Sequence, residues 1–370
     1  MKLETFQLER YLAEHEFSAP YVLCASDCES VELGELLALE PGAGERLLKL
    51  RLGYTESLGD PGLRQAITTL YDGILPSHVL VHSGAEEAIF NFMNVALEPG
   101  DHVVVHAPYY QSLGEVARGI GVEVAHWQGD PGNGWRLDLD HLEGLLTSRT
   151  RVVVLNVPHN PTGFLPDEAF LCELSALSER HGFILFSDEV YRGLEHDPEH
   201  LLPSMTDLNH RAVSLGVMSK TYGLAGLRIG WVATRNEPLY RSLAAFKDYT
   251  TICSSGPSEF LAELALRHRG PLVDRNLAII RSNLDLLDDF FGSYPGRFRW
   301  SRPRAGSIAF PQLLRGPVEE FCDQLRRETG VLLLPGTVYG PEYEAFRIGF
   351  GRADLPEALE HFGAFIRQLV

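Results

Sequence analysis

The 370-residue sequence predicts an α/β fold, a mostly parallel seven-stranded sheet in a large domain with a smaller α+β domain beside it. Three observations predict it. From about residue 60 to 235, short apolar runs alternate with helical patterns, the order that lays parallel strands beneath covering helices. After about 255 the pattern changes to long amphipathic helices followed by short strands. A chain of this length is also too long for one small core and ordinary for two packed domains.

In chain order, the strands of the large domain fall at 79–82, 102–107, 122–126, 152–157, 183–187, 212–215 and 229–233. Helical patterns lie between them at 86–97 and 167–180, the second opening just after Pro166 as helix starts often do. Short strands follow at 298–300, 307–311, 331–334 and 346–349, and a helix closes the chain. The expected division is an amino-terminal segment, 1–45, packing with the small domain, then a large ligand-binding domain at 46–260 and the small domain at 261–370. There is no internal repeat or low-complexity tract.

Composition excludes several classes. With 32 basic against 50 acidic side chains the net charge is -18, which repels nucleic acid and anionic lipid over most of the surface. An anionic ligand therefore has to be captured by individual Arg and Lys residues. No apolar stretch approaches the roughly 20 residues that cross a bilayer, and the start carries no export signal, so a cytoplasmic protein is expected. Five scattered cysteines fit a reducing compartment, and Cys24 and Cys28, the only close pair, lack the further ligands a metal would need.

Four segments carry candidate chemistry. Ser83-Gly84-Ala85 joins a strand to a helix and leaves backbone N–H groups free at the helix start, a cradle for phosphate or simply an N-cap. Asn156 to Gly163 contains Asn160-Pro161-Thr162-Gly163 at a strand's carboxyl end, where open sheets bind ligands; Asn160 either donates to a ligand oxygen or closes an Asx turn. Asp188, with Tyr191 three residues on, ends another apolar strand and either pairs with a cation or caps a helix. Ser219-Lys220 is followed by Gly223, Gly226, Arg228 and Gly230, two cations in a tightly bent segment whose apolar flanks argue against plain surface exposure.

Taken in this order, the four segments resemble the class I and II aminotransferases, the fold type I enzymes that use pyridoxal 5'-phosphate, over the chain from about Tyr54 to the end. The resemblance implies that Lys220 forms a Schiff base with the cofactor aldehyde and carries protons, and that Asp188 pairs with the pyridine nitrogen. It implies that Tyr191 and Asn160 bond the phenolic oxygen, and that Ser83, Gly84, Ala85, Ser219 and Arg228 hold the phosphate. Tyr54 would reach that phosphate from a partner subunit, hence a homodimer. Tyr110 would stack on the ring, with Tyr109 as its rival, and Arg347 would grip the substrate's α-carboxylate beside Asn160. The implied reaction moves an amino group between an amino acid and a 2-oxo acid.

Two departures from the family pattern stand out. Val217, three residues before the lysine, replaces a hydroxyl residue that many relatives place on the phosphate. The opening at Ser26 to Ser30 lacks the usual Gly and Pro pattern and weakly resembles capreomycidine synthase-like, cyclising members. A lyase or cyclase acting on an amino acid is therefore the alternative outcome. Asp27 and Glu29 in that opening would fit a cationic substrate, a solvated acidic turn being the simpler explanation. A non-catalytic cofactor-binding protein fused to a DNA-binding module is disfavoured by the short stretch before Tyr54 and by the acidic balance. A dinucleotide-dependent dehydrogenase is disfavoured because no strand leads into the required Gly-rich turn.

Overall fold

A computed structural model describes residues 1–369. Seven strands form one sheet: β1 (Val79–His82), β2 (His102–Ala107), β3 (Glu123–Gln128), β4 (Thr150–Asn156), β5 (Ile184–Asp188), β6 (Val213–Val217) and β7 (Gly230–Thr234). Their order across the sheet is β1-β7-β6-β5-β4-β2-β3. Strand β7 runs antiparallel to both neighbours, and the other pairings are parallel. All seven predicted strands are present, their ends shifted by at most a few residues.

The alternation of side chains along each strand divides the core into two layers. Val103, Val105, Val152, Val154 and Phe186 point to one face, where they meet Ile89, Phe92 and Met93 of helix Ala85–Ala96. Phe92 and Phe186 stack with ring centroids 4.3 Å apart. Val104, Val153, Leu155 and Leu185 point to the other face and meet Leu171, Leu174 and Leu177 of helix Glu168–His181. Covered on both sides, these strands are apolar throughout, as buried parallel strands are. Helix Glu168–His181 starts where the Asp167 carboxylate accepts the Phe170 N–H at 2.9 Å.

The long helix Arg269–Gly292 leads to a three-stranded antiparallel sheet in which Phe346–Gly349 lies between Leu334–Pro335 and Ile308–Ala309. The amino-terminal segment divides its contacts. Tyr21 pairs with Val331, the Gly349 N–H donates to the Leu23 carbonyl, and the Glu29 N–H donates to the Gly351 carbonyl, so residues 21–29 lie along this carboxy-terminal sheet. Leu36 and Ala43 instead share a core with Leu63, Val79, Val81, Trp231 and Ala265 beside the large sheet.

Candidate active site

The carboxyl ends of β4 and β5 and the loop after β6 open onto one cavity of about 410 Å³. Asp188 is the last residue of β5, and Asn156 is the last of β4. Asn156 Nδ2 donates to the Asp188 carbonyl at 2.9 Å while its Oδ1 accepts the Asn160 N–H at 2.7 Å, which ties the loop after β4 to the neighbouring strand. Asn160, Asp188, Tyr191, Ser219, Lys220, Arg228, Tyr110 and Arg347 all line the cavity. Side chains spread over more than 230 residues of sequence thus share one space.

Burial sets the electrostatics. Asp188 is almost wholly buried and its carboxylate accepts only the Val190 N–H, at 3.2 Å. Its pKa is pushed up to about 7, chiefly by desolvation, with that N–H and the Lys220 charge opposing. Burial lowers the Lys220 pKa from its ordinary value, so the amine is brought closer to its neutral, nucleophilic form. Lys220 Nζ donates to Ser26 Oγ at 2.8 Å and lies 6.0 Å from the Tyr191 ring centroid. The Tyr191 hydroxyl, on a residue only 1% exposed, has no hydrogen-bond partner.

An anion cradle forms where β1 turns into helix Ala85–Ala96. Gly84 has φ 89°, and a Cβ on it would lie 2.6 Å from Arg228 Nη2. A Cβ on Gly230 would lie 2.7 Å from the Gly84 carbonyl carbon. Two absent side chains therefore let the guanidinium come up to the helix start, where the helix dipole adds to its charge; the Gly84 N–H, expected on the phosphate, is instead donated to the His82 carbonyl at 2.9 Å. Ala85, Ser219 and Arg228 face the cavity, whereas Ser83 does not and its N–H donates to Glu87 Oε2. Glu86, on the same wall, is pushed up to about 7 by burial, which limits the negative charge it brings to the cradle.

Arg347 is buried and fixed: Nε and Nη2 donate to the Cys24 carbonyl at 3.1 and 2.9 Å, and Nη1 donates to the Tyr339 hydroxyl at 3.1 Å. Of the two adjacent tyrosines, Tyr110 lines the cavity and donates to Glu9 Oε1 at 2.8 Å, while the Tyr109 hydroxyl sits with His126 and Arg118 outside it. Val217, at the end of β6, is a buried wall residue. Tyr54 is 93% exposed and does not reach the cavity of its own chain.

The acidic opening requires a correction. Asp27 touches the cavity, but its carboxylate is held by Nε and Nη2 of Arg352 at 3.2 and 2.9 Å. Glu29 accepts the Ala353 N–H at 2.9 Å. Both carboxylates fasten residues 21–29 to the chain just beyond strand Phe346–Gly349, so neither a cationic substrate nor bulk solvent is their main partner. Cys24 and Cys28 are buried free thiols with pKa values pushed up by desolvation to about 11 and about 12. Sequence reading missed Asn156, Ser26, Tyr339 and the cavity-lining Glu9 and Glu16. The only local signal was the helix α1 (Gln7–His15), whose residues 9, 12 and 16 share one face.

The family model for aminotransferase class I and II matches residues 44–362. Capreomycidine synthase of Streptomyces vinaceus is 35% identical over 93% of this chain and 88% of its own length. Among solved structures, a pyridoxal phosphate-dependent aminotransferase from Streptococcus suis superposes with a TM-score of 0.94 at 34% identity, covering 100% of this chain and 99% of that one. The pyridoxal phosphate-dependent cyclase OrfR superposes with a TM-score of 0.90 at 32% identity, covering 100% and 99%. A family match over most of the sequence, joined to the same fold over its whole length, makes this chain a member of the class I and II aminotransferases and a pyridoxal phosphate-dependent enzyme.

Proposed function

We propose that this enzyme transfers an amino group between an amino acid and a 2-oxo acid, with Lys220 as the proton carrier and Arg347 as the anchor of the substrate's α-carboxylate. The observation that carries the reading is that a desolvated lysine, a buried unpaired aspartate and a fixed buried arginine line one cavity. The residues present fit the cofactor. Asp188 lacks a cation, the Tyr191 hydroxyl lacks a partner, and the bare Gly84 lets the Arg228 guanidinium stand at the helix start where an anion would be held.

When bound, pyridoxal phosphate supplies an aldehyde that condenses with amines and a ring that accepts the electrons freed at the substrate's α-carbon. The chain's own residues do the rest. Asp188 holds a protonated ring nitrogen, and that cation restores the carboxylate's charged form. Tyr191 and Asn160 bond the phenolic oxygen. Ala85, Ser219 and Arg228 would hold the phosphate, and Tyr110 would stack on the ring. Lys220 would take the proton from the substrate's α-carbon and return it at the cofactor's aldehyde carbon, its neutral form favoured by the dry wall. Arg347 fixes the α-carboxylate, and its bonds to the Cys24 carbonyl keep the guanidinium plane from turning.

We read the working form as a homodimer in which Tyr54 completes the partner's phosphate site. Support comes from the exposure of the large apolar side chains Leu48, Leu52, Tyr54 and Tyr249. We read the setting as cytoplasmic, which the free cysteines fit, and the role as one in amino acid metabolism. The division into a cofactor-binding body at 46–260 and a smaller one at 261–370 is part of the same reading.

One observation favours a second outcome, elimination and cyclisation: Ser26 Oγ, 2.8 Å from Lys220 Nζ, gives the cavity a second group able to pass a proton to a leaving oxygen. Amino acids added singly to the purified holoenzyme separate the two. Transamination converts the cofactor to its amine form and releases a 2-oxo acid, whereas elimination or cyclisation returns the aldehyde form at every turnover. A panel that never yields the amine form overturns the transaminase reading.

A further inference from the structure

We propose that a second cavity, on the face of the sheet away from helix Ala85–Ala96, binds a small aromatic molecule that donates N–H bonds, such as an amidine, through the carboxylate of Glu189. The cavity is about 390 Å³ and shares only Val190 and Val217 with the active-site cavity. None of Lys220, Asp188 and Arg347 lines it, so its occupant stands apart from the reacting atoms, and the inference does not depend on the reaction proposed above.

The cavity arises from a gap in the helical cover. On this face Val79, Val81, Trp231 and Ala233 belong to one apolar core, and Val104, Val153, Leu155 and Leu185 belong to another. Between them lies β6, whose alternation sends Val213, Leu215 and Val217 to the opposite layer and leaves Ser214 and Gly216 on this one. No apolar side chain of that strand draws a helix over it. A Cβ on Gly216 would lie 2.4 Å from the Trp231 ring, so its absence lets the indole lie against the strand as an aromatic floor. Trp231 Nε1 donates to the Tyr71 hydroxyl at 2.8 Å, which fixes that floor, and Tyr222, Val273 and Leu277 continue the apolar lining. Leu201, 54% exposed, stands at the mouth.

One carboxylate oxygen in this setting is unmet. Glu189 is 8% exposed; its Oε1 accepts the Met205 N–H and the Ser214 hydroxyl, both at 2.8 Å, and its Oε2 has no partner. The carboxylate is turned to the aromatic side of the cavity: burial first, and the Glu189 charge second, push the Tyr71 hydroxyl up. Glu195, buried on the same wall, accepts the Gly193 N–H at 2.9 Å and is pushed up to about 7 by burial, which limits the charge it offers a ligand. Neither acid forms an ion pair among the described residues. The lining arginines are turned to main-chain carbonyls, Arg192 to those of Leu202 and Leu70 and Arg269 to that of Leu266. A buried acceptor left without a donor is costly, and a ligand N–H arriving beside aromatic rings recovers that cost.

The test compares benzamidine, which only donates, with acetophenone, a ring of similar size that only accepts, each titrated calorimetrically into the holoenzyme. Benzamidine is expected to bind about tenfold or more tightly, as one charged hydrogen bond to a buried oxygen predicts. In Glu189→Gln protein the amide oxygen can keep the bonds of Oε1 while an NH2 group replaces Oε2, so the preference is expected to vanish or reverse. Crystals of the natural holoenzyme soaked in benzamidine give a readout that needs no variant: an amidine nitrogen about 3 Å from Glu189 Oε2 is expected. Equal binding of the two probes overturns the proposal, as does benzamidine density confined to the active-site cavity, or a preference unchanged in folded Glu189→Gln protein.

Discussion

The guanidinium of Arg228 occupies the ground that a side chain at Gly84 would need: a Cβ there would lie 2.6 Å from Nη2. Gly84→Ala therefore faces both a clash and a left-handed backbone at φ 89°. It should lower stability by about 1–3 kcal/mol. It should also push the guanidinium off the helix start and weaken cofactor retention by about tenfold or more, a charged hydrogen bond being worth roughly 1.5–3 kcal/mol. Thermal denaturation and cofactor release by gel filtration read the two effects.

Asp188 should report itself in the pH dependence of the cofactor-free protein. Its folded pKa is raised, to about 7, so between pH ~4 and ~7 the folded chain keeps a proton that the unfolded chain has lost. Stability from this group thus falls as pH rises through that window. His82 and His106, lowered to about 4 and about 3, act in the opposite direction, so the whole-protein curve mixes signs. The difference between natural and Asp188→Asn protein isolates the contribution. Without cofactor, the natural protein should lose melting temperature relative to the variant from pH ~4 to ~7, and cofactor should remove that loss. In turnover, Asp188→Asn should reduce kcat/KM by on the order of 10²-fold or more, because a neutral amide cannot hold the ring cation.

Loss of the Asp27 carboxylate should be felt in folding and not in selectivity. Asp27→Asn breaks the two-pronged contact with Arg352, a partly exposed pair worth about 1 kcal/mol. A melting temperature reduced by a few degrees, with an unaltered ratio of binding between 5-guanidinopentanoate and hexanoate, is the expected result. A collapse of that ratio would return Asp27 to the substrate.

If Tyr54 serves the opposite subunit, two crippled chains should rescue one another. Lys220→Ala and Tyr54→Ala proteins, each poorly active alone, should yield hybrids in which one of the two sites keeps both residues. Activity that appears on co-refolding and rises with the hybrid fraction is expected. Hybrids as inert as their parents would place Tyr54 outside the partner's site.

The seven strands were legible because each is a buried apolar run, and burial on both faces removes every other pattern. Lys220, Asp188 and Asn160 were legible because each lies within a few residues of a strand's carboxyl end, where sheet geometry already predicts a ligand. What escaped depended on distant partners. The bond of Asp27 to Arg352 spans 325 residues, and that of Arg347 to the Cys24 carbonyl spans 323. Glu9 and Glu16 sit on a short helix whose neighbours are chosen by tertiary packing, so their shared face pointed nowhere until the cavity was drawn. Asn156 fell inside the predicted strand at 152–157, and a side chain that ties a loop to a neighbouring strand has no local signature.

The reversed direction of β7 has a mechanical outcome. The stretch leaving β6 carries the amine, the stretch re-entering through β7 carries the guanidinium, and because those strands are antiparallel neighbours both groups come back to one rim of the sheet on a single hairpin. In the proposed holoenzyme, the amine and the guanidinium that would hold opposite ends of the coenzyme therefore stand on one continuous piece of backbone.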